Sequence, residues 1–108
     1  AVSNIGQTGK DVVSRFVDGC NRQNSDAMRS TLSKRFVGIA MPAATPLCQI
    51  EQLVSTPCTL TLGKTIAAGN YVTASCSLEN DGKTQQGIAF FEFDMLEKKI
   101  HRVSFYVE

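Results

Sequence analysis

Apolar residues recur at Val12, Val13, Phe16, Val17 and Cys20, in steps of one, three and four that line one face of an α-helix. Arg15, Asp18 and Arg22 fall largely on the opposite face. Thr8 and Asp11 have the spacing of a capping box, with Asp in place of the usual Glu, so this helix is expected over about residues 9–23. The polar stretch Asn21–Asn24 breaks the stripe. Asn24 or Ser25 can cap a second helix carrying Met28 and Leu32, expected over about 25–34, and two helices joined this tightly make an αα-hairpin. Phe36–Met41 is an apolar run of the length of one buried strand, and Pro42–Thr45 reads as a loop. Thr45 followed by Pro46 places a cap and a first-turn proline ahead of a short third helix, expected over about 46–54. That helix carries Leu47, Ile50, Leu53 and Val54 on one side, and Pro57 ends it.

From Cys58 the period changes to two. Cys58, Leu60 and Leu62 alternate with Thr59 and Thr61, and Val72, Ala74, Cys76 and Leu78 alternate with Tyr71, Thr73, Ser75 and Ser77. Ala68-Gly69-Asn70 separates these strands. Asn80-Asp81-Gly82-Lys83 is a hairpin turn, because Asp-Gly supplies the positive φ that a primed turn requires. Gln86–Phe93 and Ile100–Glu108 read as two further strands around a turn at Asp94–Lys99. Helices followed by an antiparallel meander define an α+β domain with its helices packed on one face of the sheet.

At 108 residues there is length for one core, so residues 1–108 form a single domain. Charge adds little: the formal net charge is +1, and Lys and Arg form no run beyond Lys98-Lys99, so no nucleic-acid footprint is present. No apolar run approaches the roughly 20 residues of a membrane span, so no insertion is expected. The chain begins at Ala1, which leaves open a removed targeting peptide and gives no compartment. Cys20, Cys48, Cys58 and Cys76 have no CxxC spacing and the single histidine is His101, so neither a metal site nor another cofactor is expected. Two readings of the cysteines stand: small buried thiols, or disulfides.

Three stretches carry a resemblance. Val17–Asp26 resembles the junction between the first two helices of the nuclear transport factor 2-like superfamily, which includes ketosteroid isomerases and SnoaL-like cyclases. Leu62–Leu78 is similar to that family's strand pair joined by a small turn, and Phe91–Asp94 with Lys99–Ile100 and Phe105–Tyr106 resembles its closing hairpin. The resemblance implies a cone-shaped, curved antiparallel sheet, with the αα-hairpin and a third short helix packed on its concave face. The short uncharged segment before the third helix implies that the family's first hairpin is reduced here. With the last strand reaching Glu108, no C-terminal segment is expected to close the mouth of the cone.

The resemblance further implies an apolar cavity. Its expected ligand-facing walls include Phe16, Cys20, Ala40, Ala74, Ala89, Phe91, His101, Val103 and Phe105. Where ketosteroid isomerases carry a tyrosine, a general base and an oxyanion acid, this chain reads Phe16, a position at or beside Ala40, and Ala89, none of which moves a proton. The epoxide hydrolases' aspartate-arginine-aspartate arrangement has no counterpart. By strict alternation His101 shares the face of Val103 and Phe105, and it is the one candidate acid/base for a SnoaL-like cyclase, isomerase or dehydratase. The leading expectation is a non-catalytic domain that pairs with itself or another protein. Its interface would be the convex sheet face at Ile88, Phe90, Ile100 and Tyr106, and a small hydrophobic ligand is a further expectation.

Overall fold

The computed structural model describes residues 4–41 and 47–108. The elements are α1 (Gly6–Asn21), α2 (Ser25–Arg29), β1 (Gly38–Ala40), α3 (Ile50–Ser55), β2 (Thr59–Ala68), β3 (Tyr71–Asn80), β4 (Lys83–Asp94) and β5 (Lys99–Val107). They build a five-stranded sheet in the order β1-β5-β4-β3-β2.

α1 starts earlier than expected. Its first N–H groups are met by Asn4, whose Oδ1 accepts from Gly6 N–H at 2.8 Å, while Ile5 N–H donates to Gly69 O at 2.8 Å and ties the helix start to the β2–β3 turn. Thr8 and Asp11 therefore lie inside the helix rather than at its cap. Val12, Val13, Phe16 and Cys20 are buried, as the apolar stripe requires. Asn24 caps α2 through Oδ1, which accepts from Ala27 N–H at 3.0 Å. α2 stops at Arg29, because residues 31–37 make a different set of bonds. Ile100 N–H donates to Thr31 O, Ser33 N–H to Ile100 O, and Val37 N–H to His101 O, at 2.9, 2.8 and 2.9 Å. The segment thus runs beside the start of β5 and continues into β1. Competition from a strand edge with free backbone groups outweighs the weak propensity of a short helix.

β2 to β5 form the expected antiparallel meander. β1 is the exception: it pairs parallel with β5, Ile39 opposite Val103 and Ala40 opposite Ser104, so the sheet is mixed rather than wholly antiparallel. Ile39 also exchanges both backbone bonds with Cys48, at 2.7 and 2.9 Å, which is the remnant of a hairpin on that edge. The Thr45–Pro46 cap lies outside the described residues. α3 itself begins at Ile50, behind a capping box in which Gln49 N–H donates to Gln52 Oε1 at 2.7 Å.

Asp81 and Gly82 both take positive φ, 54° and 77°, between the paired Asn80 and Lys83, as a primed two-residue turn demands. Two irregularities interrupt strict alternation. In β2 the register shifts between Leu62 and Thr65. In β5 it shifts between the pairs Glu92–Arg102 and Phe93–Ile100, which leaves His101 as an extra residue.

The core lies between α1 and the inner face of the sheet. Phe16 meets Phe91 edge to face with ring centroids 5.8 Å apart, and Phe91 meets Phe105 the same way at 6.4 Å. Phe16→Ala removes the ring that joins helix to sheet and is expected to cost about 3–5 kcal/mol of unfolding free energy. A urea titration checks this, and an unchanged midpoint would show that Phe16 contributes nothing to the core.

Candidate functional site

The inner face brings together most of the expected cavity wall, as a packed core. Ala74, Ala89 and Phe105 are cross-strand neighbours, as are Val72, Phe91 and Val103. Phe16, Ala89, Phe91 and Val103 are fully buried, and Cys20, Ala74 and Phe105 nearly so. The small side chains at Ala74 and Ala89 make room that the Phe16, Phe91 and Phe105 rings occupy.

Two of the expected wall residues are elsewhere. Ala40 pairs with Ser104 and lies on the outer side, and Ile39, fully buried opposite Val103, takes the inward place. His101 is turned outward by the β5 bulge, so it does not share the face of Val103; its Nε2 lies 3.9 Å from Glu92 Oε2. The same phase change buries Ile100 completely, which removes it from the proposed outer interface. One extra residue reverses the facing of everything on one side of it.

Among the described residues the buried polar side chains are Thr31 and Ser33, and both serve the backbone path around Ile100. Thr31 Oγ1 donates to Met28 O at 2.6 Å, and Ser33 Oγ donates to Asp94 Oδ2 at 3.1 Å. Burial would raise the Asp94 carboxyl, but Leu96 N–H, Ser33 Oγ and the Arg35 guanidinium outweigh it and hold the group below its usual range. The interior thiols are kept protonated. Burial, then the neighbouring Cys58 thiol, pushes Cys20 up to about 12, and burial raises Cys76. A separate apolar cleft of about 220 Å³ remains at one end of the core, between Ile39, Cys48, Leu53, Cys58 and Leu78.

The outer face has a different character. Its cross-strand rows are Tyr71–Glu92–Arg102, Thr73–Phe90–Ser104 and Ser75–Ile88–Tyr106. These rows border an open trough of about 870 Å³ that reaches Gln86 and Glu108. Phe90 and Tyr106 pack edge to face at 5.5 Å along its floor. Tyr106 is 65% exposed, Ile88 47% and Tyr71 40%. At one end the Tyr71 hydroxyl donates to Glu92 Oε1 at 2.8 Å, while His101 approaches the other oxygen of the same carboxylate. The accepting carboxylate raises the Tyr71 phenol above its usual range. Alternation along each strand indicated the face, but the Tyr71–Glu92–His101 grouping depends on register and on the bulge, which no single strand's sequence displays.

Comparisons with known proteins agree on the fold. No family model matches the chain, and no curated protein matches it. Among solved structures, the chain is similar to a nuclear transport factor 2-like protein of unknown function from Cytophaga hutchinsonii, at 17% identity over 93% of this chain and 89% of that one, with a TM-score of 0.81. It is also similar to the epoxide hydrolase/cyclase-like enzyme SalBIII of pyran ring formation in salinomycin, at 16% identity over 94% and 92%, TM-score 0.76. A third likeness is to a LEH-like epoxide hydrolase of M. tuberculosis, at 13% identity over 93% and 82%, TM-score 0.70. The chain therefore has the nuclear transport factor 2-like fold, an α+β cone with helices on its concave side. At these identities the likeness extends to the fold and not to the chemistry.

If Glu92 sets the titration of Tyr71, Glu92→Gln lowers the Tyr71 phenol toward its ordinary value, because the negative charge that disfavours tyrosinate is gone. An ultraviolet titration of the tyrosinate band, with Tyr106→Phe to isolate the signal, measures the direction; an unchanged or upward shift would contradict it.

Proposed function

We propose that this domain is a non-catalytic member of the fold that works by association, with a second copy of itself, through the outer face of the sheet. The observation that carries this reading is the contrast between the two faces. The inner face is filled by the Phe16, Phe91 and Phe105 rings, and its positions Phe16 and Ala89 carry no group able to donate or accept a proton. The outer face leaves Ile88 and Tyr106 exposed beside Phe90 around an open trough. Each Å² of such apolar surface removed from water contributes roughly 25 cal/mol.

A second copy suits the face in charge as well as in shape. Arg102 lies toward one end of the trough and Glu108 toward the other, both on the β5 side. A two-fold axis crossing the strands would reverse β5 in the partner and lay Arg102 of each copy over Glu108 of the other. Such self-complementarity is what an isologous interface requires. A small hydrophobic ligand would then have the 220 Å³ cleft beside Cys48 and Cys58 as its place, with room for only a few heavy atoms beyond a single ring.

One observation favours a second reading. His101, Glu92 and Tyr71 form a row of ionisable groups at the end of the trough, and a general acid/base there would act on a substrate lying on the outer face. That site has no partner of the kind that enolisation needs inside a closed cavity, since the groups are open to water.

Phe90→Glu places a charge at the centre of the proposed contact and is expected to convert a dimer to a monomer while circular dichroism stays unchanged. Sedimentation of the unmodified protein as a monomer at micromolar concentration would remove the association reading. Incubation with steroid-like or polyketide-like ketones is expected to give no turnover. Turnover abolished by His101→Ala, with the fold intact, would replace this reading with the enzymatic one.

A further inference from the structure

We propose that Cys20 and Cys58 form a thiol pair that a small-molecule disulfide converts to an intramolecular disulfide, linking the end of α1 to the start of β2. The two segments are already clamped. Asn21 Nδ2 donates to Leu60 O at 2.8 Å, and Asn21 Oδ1 accepts from Leu60 N–H at 2.7 Å, so the residue after Cys20 grips both backbone groups of the residue two beyond Cys58. Gln23 Nε2 adds a bond to Val54 O at 2.8 Å on the same side. Across this clamp the Cys20 and Cys58 thiols are neighbours, near enough for each to shift the other's titration.

Access is unequal, which assigns the roles. Cys20 is buried at 2% exposure, whereas Cys58 is half-buried and lines the 220 Å³ cleft. Cys58 also precedes the first residue of β2, so no ladder pairing restrains its backbone. A disulfide of the glutathione type is attacked by the Cys58 thiolate, forming a mixed disulfide and releasing one reagent thiolate. Cys20 thiolate then attacks Cys58 Sγ, the mixed S–S bond breaks, and the second reagent thiolate leaves. The protein gives up two electrons and two protons, and the reagent becomes two thiols. Burial raises both thiols, so the reaction is slow near neutrality and faster as pH rises. Cys48 shares the cleft, and Cys76 lies buried in β3, paired opposite Gly87.

The test is to incubate the full chain with oxidised glutathione and map its peptides by mass without reduction. The expected product has lost the mass of two hydrogens, keeps two of its four reactive thiols and contains a Cys20–Cys58 peptide. The paired variant Cys48→Ser with Cys76→Ser is expected to give the same cross-link, and Cys58→Ser to abolish it. Closing the loop between the two cysteines is expected to raise the urea midpoint by on the order of 1–2 M. A Cys48–Cys58 linkage, a disulfide between chains, a persistent glutathione adduct on Cys58, or four thiols still free would each overturn the proposal.

Discussion

The edge-to-face contact of Phe16 with Phe91 joins helix to sheet, and the rest of the molecule is arranged around keeping it. For Phe16 to reach the sheet, α1 must lie very close to it. Gly9 allows that approach: a Cβ there would stand 2.5 Å from Ile5 Cγ1 and 2.9 Å from Val72 Cγ2. Gly19 does the same toward α2, where a Cβ would meet Met28 Cγ at 2.9 Å. Opposite the helix, Ala74 and Ala89 stay small so that three rings fit without overlap. Interiors of proteins are close-packed, so a cone of this size filled by aromatic rings keeps little space for a ligand.

The filled interior stands against an outer face of different character. The same sheet that buries Phe91 and Phe105 presents Phe90 and Tyr106 on its other side, because successive strand residues face opposite ways. The ionisable groups follow the same division. Glu92, His101, Arg102 and Tyr71 gather outside, while the ionisable side chains among the described buried residues are the thiols of Cys20 and Cys76. Fold likeness to epoxide hydrolase and cyclase-like proteins thus coexists with an interior whose described buried residues include no carboxylate and no phenol.

The bulge at His101 links the two halves of this arrangement. It is held in place by the Thr31–Val37 segment, whose backbone bonds to Ile100 and His101 fix that part of β5, and by Asp94, which receives Ser33 Oγ and Leu96 N–H and lies 3.5 Å from Arg35 Nε. Without the extra residue His101 would face inward and Ile100 outward. With it, the sole histidine leaves the core and joins Glu92, and Ile100 is fully buried beside the Thr31–Ser33 segment.

Local chemistry was enough for much of the fold. The stripe of α1, the Asn24 cap, the Asp81-Gly82 turn and the alternation in β3 and β4 each depend on residues within a few positions of one another, so periodicity and turn preference reveal them. The length of α2, the parallel pairing of β1 and the facing of Ala40, Ile100 and His101 were decided only in the tertiary structure. Each depends on which distant backbone group is free to bond: Thr31 and Val37 meet β5 across more than half the chain, and a bulge is visible only when two strands are laid side by side. Alternation fixes which residues share a face, but it cannot count the residue that pairing leaves out, and at His101 that one residue determines what the inner and outer faces contain.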